Sequence, residues 1–123
     1  MPILEVEITT SNGDILAPGL AQSIADSAGA VLGTPPGRTC VKLRALSREH
    51  YAESNSIVPD DVYPVFVTLL KSRIGTADER KTEANRLCGA IAKACNRPKE
   101  NVHILYLPEA AGRMSFGGEL VPV

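Results

Sequence analysis

The chain has 123 residues, a length typical of one domain that buries about two thirds of its unfolded surface. Hydrophobic residues make up 44% of the chain, charged residues 22% and aromatic residues 4%, so the composition excludes a disordered chain and predicts a core of aliphatic and small side chains. A net charge of -1 excludes a basic platform for nucleic acid, and the absence of a long apolar run or a basic leader predicts a soluble cytoplasmic protein that binds no membrane.

The first half of the chain has the pattern of a strand, a helix and a second strand. Residues 2–9 alternate, with Leu4, Val6 and Ile8 on one side and Ile3, Glu5 and Glu7 on the other. A turn at residues 12–14 (NGD) precedes a helix that has Pro18 in its first turn, apolar residues at helical spacing and Gly33 at its end. Residues 39–46 alternate again, which predicts the second strand.

The second half repeats this order. Residues 64–71 (PVFVTLLK) predict a strand, and Thr76 with Glu79 three residues later predicts a capping box at the start of a helix. That helix carries one apolar stripe and ends near Asn96. A last strand is predicted over residues 102–107 (VHILYL), and a glycine-rich tail follows.

The repeated order indicates an internal duplication. The opening strands begin at Pro2 and Pro64, 62 residues apart, about half the chain length. Because a right-handed crossover makes the two strands of each unit parallel, both helices lie on the same face of the sheet. We therefore predict a single α+β domain of two β-α-β repeats, residues 2–46 and 64–107, forming a four-stranded mixed sheet with two helices on one face.

Such a sheet has one face without helices. We expect the helices to cover the aliphatic side, which leaves Glu5, Glu7, Lys42 and Arg44 on the open face. A small domain can cover such a face and close its sheet edges by pairing with copies of itself. The sequence therefore predicts an oligomer.

The cysteines give no sign of a disulfide framework or of a metal site. Cys40, Cys88 and Cys95 are odd in number and contain no CxxC motif. Cys88 and Cys95 lie seven residues apart on one helix face, where we expect them to fill the core. We predict no metal and no cofactor.

Pro2 is the candidate for chemistry. Removal of the initiator methionine before a small residue would leave Pro2 with a free secondary amine, a compact base at the start of a buried strand. A chain-terminal amine has a pKa near about 8, and apolar surroundings with nearby cations would lower that pKa by about 2 units, so that most of the amine is neutral. The alternative is that Pro2 is only a rigid second residue.

The sequence resembles the tautomerase superfamily, which includes 4-oxalocrotonate tautomerase, 5-carboxymethyl-2-hydroxymuconate isomerase and macrophage migration inhibitory factor. The resemblance covers nearly the whole chain and includes the duplicated unit. It rests on the start MPI and on the segments LGTPP at residues 32–36, RIG at 73–75, RLCG at 86–89 and FGGEL at 116–120. The order and spacing of these segments carry the resemblance, since none is decisive alone.

The resemblance implies a homotrimer whose sheets surround a central channel. It also implies a cofactor-independent tautomerase in which Pro2 acts as base and acid on small 2-oxo or 2-hydroxy unsaturated carboxylic acids. Arg73 matches the family arginine that follows the strand opening a unit, and its planar guanidinium would bind the substrate carboxylate. The alternative for Arg73 is a solvated arginine in a turn.

Other family positions differ in this chain. His103 stands where the oxalocrotonate enzymes have a second arginine and the inhibitory factor a tyrosine, so it is either a donor to substrate from a neighbouring subunit or a structural histidine. Thr34 replaces the inhibitory factor's lysine, and Arg38 or Lys42 could supply that charge. Met114 takes the place of a pocket phenylalanine, and the other candidates for the cavity wall are Phe116 and Tyr106.

Residues 47–63 form a long polar linker between the repeats, which is either functional, interfacial or a plain surface loop. His50 and Tyr51 could reach the pocket mouth or a neighbouring subunit.

Two other functions are compatible with the resemblance. One is a hydratase or dehalogenase of unsaturated acids with a cationic Pro2, and the other is a non-catalytic trimeric binding protein.

Overall fold

A computed structural model describes residues 1–11 and 14–123. The predicted turn at Asn12 and Gly13 lies outside the described residues. In chain order the elements are β1 (Ile3–Thr10), α1 (Leu20–Leu32), β2 (Cys40–Ser47), β3 (Val65–Leu70), α2 (Ala77–Cys95), β4 (Val102–Tyr106), β5 (Ser115–Phe116) and β6 (Glu119–Leu120). Short 3₁₀ turns at Arg48–His50 and Lys99–Asn101 precede β3 and β4.

The main sheet has the strand order β2-β1-β3-β4. β1 is parallel to β2 and β3 is parallel to β4, while β1 and β3 are antiparallel at the centre, with Val6 opposite Val67. Each parallel pair is joined by one helix. This confirms the predicted fold of two β-α-β units in a mixed sheet.

The core lies between the sheet and the two helices. Leu4, Val6 and Ile8 of β1 and Val65, Val67 and Leu69 of β3 are buried, as are Ile24 of α1 and Leu87 and Ile91 of α2. On the opposite face Lys42 contacts Glu5 at 2.6 Å, in the register that also pairs Glu7 with Arg44. The prediction that the helices cover the aliphatic side is confirmed.

The helix ends follow their capping residues. The capping box of α2 is confirmed, since the Thr76 hydroxyl accepts a hydrogen bond from the Glu79 N–H and the Glu79 carboxylate accepts one from the Thr76 N–H. At α1 the prediction for Pro18 is wrong. The helix begins at Leu20 because Gly19 takes a left-handed conformation with φ 81°, which places Pro18 in the preceding turn.

The tail forms a small hairpin that the sequence analysis missed. Phe116 pairs with Glu119 across Gly117 and Gly118, which have φ values of 59° and 94°. Two consecutive left-handed residues make a turn that suits a two-residue hairpin. The Gly-Gly pair was the available signal, but strands of two residues show no alternation.

The cysteines of α2 pack against the core, which confirms their predicted role. Cys88 and Cys95 are free and partly buried. Burial raises the pKa of both thiols, so they stay protonated. No helix in the described part of the chain is long and apolar enough to cross a bilayer.

Candidate active site

One end of the sheet, which we call the Pro2 end, carries Pro2, Arg38 and Arg73. β1 and β2 begin at this end and β3 and β4 finish there, because the central pair is antiparallel. Pro2 directly precedes β1, Arg38 lies two residues before β2, and Arg73 lies three residues after β3. The topology therefore brings the candidate base and two guanidinium groups to the same edge.

Pro2 is buried where the first strand starts. Its carbonyl accepts a hydrogen bond from the Cys40 N–H at 2.9 Å, which ties the start of β1 to β2. The Cys40 thiol in turn lies 3.1 Å from the Met1 sulfur. The recorded pairing of β1 with β3 begins at Ile3, which is opposite Leu70.

Lys71 is a residue at this end that sequence reasoning missed as a site candidate. If the antiparallel register is continued one residue beyond the Ile3–Leu70 pair, Lys71 is opposite Pro2. Its ammonium donates to the Glu83 carboxylate on α2 at 2.8 Å, and both side chains are largely buried, with 20% and 21% exposed. The sequence pattern identifies Lys71 only as the end of a strand, since its partner depends on how the two repeats pair.

Arg73 is an accessible cation of this group. Its side chain is 62% exposed, and one guanidinium nitrogen lies 3.7 Å from the Glu109 carboxylate. The same carboxylate accepts a bond from the Ile74 N–H at 3.3 Å, so Glu109 is held beside the loop that follows β3. Arg38 is exposed in the turn closed by its own N–H to the Pro35 carbonyl at 3.1 Å. Both arginines are free enough to turn toward a carboxylate.

Tyr106 and Met114 are near the Pro2 end in different settings. Tyr106 lies on the helix-covered face, where its hydroxyl donates to Glu83 at 2.8 Å. Burial, with the hydrogen bond to Glu83, raises the pKa of Tyr106, so the phenol stays protonated. Met114 is half-buried in a turn, where its N–H donates to the Ala110 carbonyl, and Ala110 donates to the Lys71 carbonyl at 2.8 Å. Phe116, in β5, is half-buried as well.

His103 is at the opposite end of the sheet. It pairs with Phe66, which pairs with Glu7, five residues along β1 from Pro2 and so about 17 Å away in the strand direction. The exposed His103 ring lies 5.5 Å from the ring of Phe66, and the ring of Tyr51 from the linker lies 5.7 Å from the same Phe66 ring. Within one chain, His103 and Tyr51 therefore do not meet Pro2.

A groove of about 620 Å³ runs between α1 and the segment that enters β2. It is lined largely by small residues, and its polar groups include Asp26 and the hydroxyls of Thr34 and Thr39, which lie 2.5 Å apart. Cys40 lines this groove and also contacts Met1, so the groove reaches the neighbourhood of Pro2 without including it. Among the described residues, no three His, Cys, Asp or Glu side chains are grouped closely enough to hold a metal ion.

Comparison with known proteins identifies the fold. No family model and no curated protein sequence matches the chain. Macrophage migration inhibitory factor from Oncomelania hupensis is 20% identical, with 100% of this chain and 84% of that chain covered and a TM-score of 0.74. Pt0534 inactivated by 2-oxo-3-pentynoate is 15% identical, with 97% and 94% covered and a TM-score of 0.72. The same values describe the symmetric trimer of wild-type Q0 fused 4-OT. The chain therefore has the fold of the inhibitory factor and of fused 4-OT, as the sequence resemblance implies.

Proposed function

We propose that the protein is a cofactor-independent tautomerase of small 2-oxo or 2-hydroxy unsaturated carboxylic acids. The observation that carries this proposal is the position of Pro2, buried at the head of a central strand with Arg73 and Arg38 at the same end of the sheet. The structural likeness to a protein inactivated by 2-oxo-3-pentynoate, itself a 2-oxo acid, supports the substrate class.

The chemistry requires a free imino nitrogen, so the proposal includes removal of Met1. The neutral Pro2 nitrogen accepts the proton of the enol hydroxyl, and the protonated nitrogen then delivers a proton to the neighbouring carbon. A C–H bond replaces an O–H bond, and nothing is oxidised or reduced. Arg73 binds the substrate carboxylate through its planar guanidinium, after exchanging its long contact with Glu109 for the ligand.

The proposal also includes assembly as a homotrimer, which the likeness to the symmetric trimer of fused 4-OT supports. Assembly is what would bring His103 to a site, because within one chain this residue is far from Pro2. We propose that His103 of one subunit donates a hydrogen bond to the substrate held at Pro2 of the next subunit.

The test is ketonisation of phenylenolpyruvate by protein whose intact mass shows loss of Met1. Pro2→Ala should lower kcat/KM by at least about 100-fold, the lower range of a positioned acid or base. Arg73→Ala should mainly raise KM, because the carboxylate contact is present in both ground and transition states. Arg86→Ala removes an equally charged, exposed side chain from α2 and serves as the matched control.

Two results would count against this function. Equal turnover by Pro2→Ala and the unaltered protein would remove Pro2 from the reaction. Retention of Met1 with no enol turnover would favour a binding protein, since an acylated nitrogen is not basic.

A further inference from the structure

We infer that Lys71 is a positioning residue for Pro2: its aliphatic stem covers the proline ring, and its ammonium, fixed by Glu83, sets the electrostatic potential at the imino nitrogen. This inference rests on the proposed function, because it assigns a role at the same site. It starts from the pairing of β1 with β3.

The hydrogen-bond pattern of that pair fixes how close the two side chains are. At the far end of the pair, the Thr9 N–H donates to the Pro64 carbonyl at 3.0 Å, so residues 9 and 64 form a hydrogen-bonded pair. Hydrogen-bonded pairs alternate with non-bonded pairs along an antiparallel ladder. Counting back from Thr9, Ile3 and Leu70 are a bonded pair, and the same alternation continued one position beyond the two strands makes Pro2 and Lys71 a non-bonded one. In non-bonded pairs the Cα atoms are only about 4.5 Å apart and the side chains are closest.

Both side chains emerge on the helix-covered face. Leu4 and Leu69, two residues along each strand from Pro2 and Lys71, are fully buried under the helices. Since side chains alternate in a strand, Pro2 and Lys71 share that face. A lysine on this face can keep its stem over the proline ring while its ammonium reaches outward.

The ammonium of Lys71 is held in place by a three-residue network. Glu83 accepts from Lys71 with one carboxylate oxygen and from the Tyr106 hydroxyl with the other, both at 2.8 Å. With both oxygens engaged, the carboxylate has a fixed orientation. The positive charge is therefore held against α2 rather than free in solvent.

The other charged and titratable groups at the Pro2 end belong to four segments. They are Arg38 and Cys40 at the start of β2, Arg73 after β3, Glu79, Arg80 and Glu83 on α2, and Tyr106 and Glu109 at the end of β4. In the extended register Lys71 is opposite Pro2, and Glu83 contacts its ammonium from α2. A nearby cation disfavours the protonated amine and an anion favours it, so these two residues should act on Pro2 with opposite sign.

The experiment is an NMR titration of the ¹⁵N-labelled Pro2 nitrogen in protein that lacks Met1 by intact mass. Lys71→Met keeps the stem but removes the charge, and the pKa of Pro2 should rise by about one unit. Glu83→Gln leaves the ammonium uncompensated, and the pKa of Pro2 should fall. Lys71→Arg keeps the positive charge, so the pKa of Pro2 in this variant should stay close to that of the unaltered protein. Lys93→Met removes an exposed charge from the last turn of α2, at the far end of the sheet, and is the matched control.

The outcomes separate this inference from the proposed function. If enol turnover depends on Pro2 but the pKa of Pro2 is the same in Lys71→Met, Glu83→Gln and the control, Lys71 has no such role. If both variants shift the pKa of Pro2 in the same direction, the cause is a change in the structure around Pro2 rather than a change in charge, and the inference is overturned. Opposite shifts in a protein without enol turnover would support the inference while removing the function. Equal thermal unfolding of the variants confirms that each shift is measured on folded protein.

Discussion

Arg97 joins three parts of the chain that are far apart in sequence. It follows the end of α2, and one guanidinium nitrogen donates to the carbonyls of Thr9 and Tyr63, each at 3.0 Å. The Tyr63 ring lies between this guanidinium, 5.6 Å from the ring centre, and that of Arg48 at 5.1 Å. Arg97 therefore connects the second repeat to the end of β1 and to the end of the linker.

Replacing Arg97 by Met should destabilise the fold. The two carbonyls would lose their charged donor, and hydrogen bonds to charged groups contribute about 1.5–3 kcal/mol each, so two bonds at the lower end of that range give an expected loss of about 3 kcal/mol. Chemical denaturation of Arg97→Met and of Arg86→Met, an exposed arginine on α2, measures the difference. Equal unfolding midpoints for the two variants would show that the Arg97 contacts contribute nothing.

Arg48 gives part of the linker a defined structure. Its guanidinium donates to the carbonyls of Val58, Pro59 and Val62 and lies 3.8 Å from the Asp60 carboxylate. Sequence alone predicts a long polar connection, because the partners of Arg48 are backbone carbonyls that leave no side-chain pattern. The position of Tyr51 beside Phe66 is consistent with a linker that borders the open face of the sheet.

At the scale of the elements, substitution by alanine at Gly33 and at Gly89 should change the stability of the fold in opposite directions, although both positions have open space for a methyl group. Gly33 ends α1 with φ 68°, whereas Gly89 lies inside α2, and a Cβ added at either meets nothing within 4 Å. Gly33→Ala should cost about 1–2 kcal/mol, the penalty of the left-handed region for an L-residue. Gly89→Ala should stabilise by about 0.5–1 kcal/mol, because alanine loses less entropy in a helix.

Thermal unfolding of both variants checks this pair. Because neither added methyl group meets a neighbour, the difference between them reports backbone conformation alone. A stabilising Gly33→Ala would mean that α1 does not end in the left-handed turn described here.

The elements show what the sequence can predict and why some of it fails. Alternation in residues 2–9 and 64–71 identifies the strands and their buried sides, because half-buried strands need one apolar face. The capping box marks the start of α2 because its two hydrogen bonds need those residue types. Gly19 has a positive φ, so α1 begins after Pro18. Because glycine permits a positive φ but does not require it, the sequence does not predict this later start.

At the scale of the whole molecule, the site depends on pairing that single elements do not encode. Pro2 is predicted from its place as the second residue and from the resemblance, and Arg73 from the resemblance, while their common edge follows from the antiparallel pairing of the two repeats. Lys71 is missed for the same reason, since only the register between β1 and β3 places it opposite Pro2. The proposed role of His103 depends on a second chain, which no pattern within one repeat can locate.

The open face of the sheet offers the last test, because it carries apolar side chains among its charges. Leu105 is 62% exposed and lies beside Thr68, on the same face as Phe66 and Glu5. The proposed trimer would cover such a face, since a buried apolar side chain gains about 25 cal/mol per Å² removed from water. Light scattering should therefore give about three times the chain mass of 13.1 kDa.

Leu105→Lys should shift that mass toward a single chain, because a lysine buried against a second copy loses its hydration without gaining a partner. Ile15→Lys is the matched control, since Ile15 is 93% exposed in the loop between β1 and α1 and belongs to no strand of the sheet. If Leu105→Lys stays trimeric, or if the unaltered protein is a single chain, the open face is not the assembly surface. In a monomer, His103 could not contact a substrate held at Pro2 of another subunit. The same measurement therefore decides whether a site shared between chains can exist.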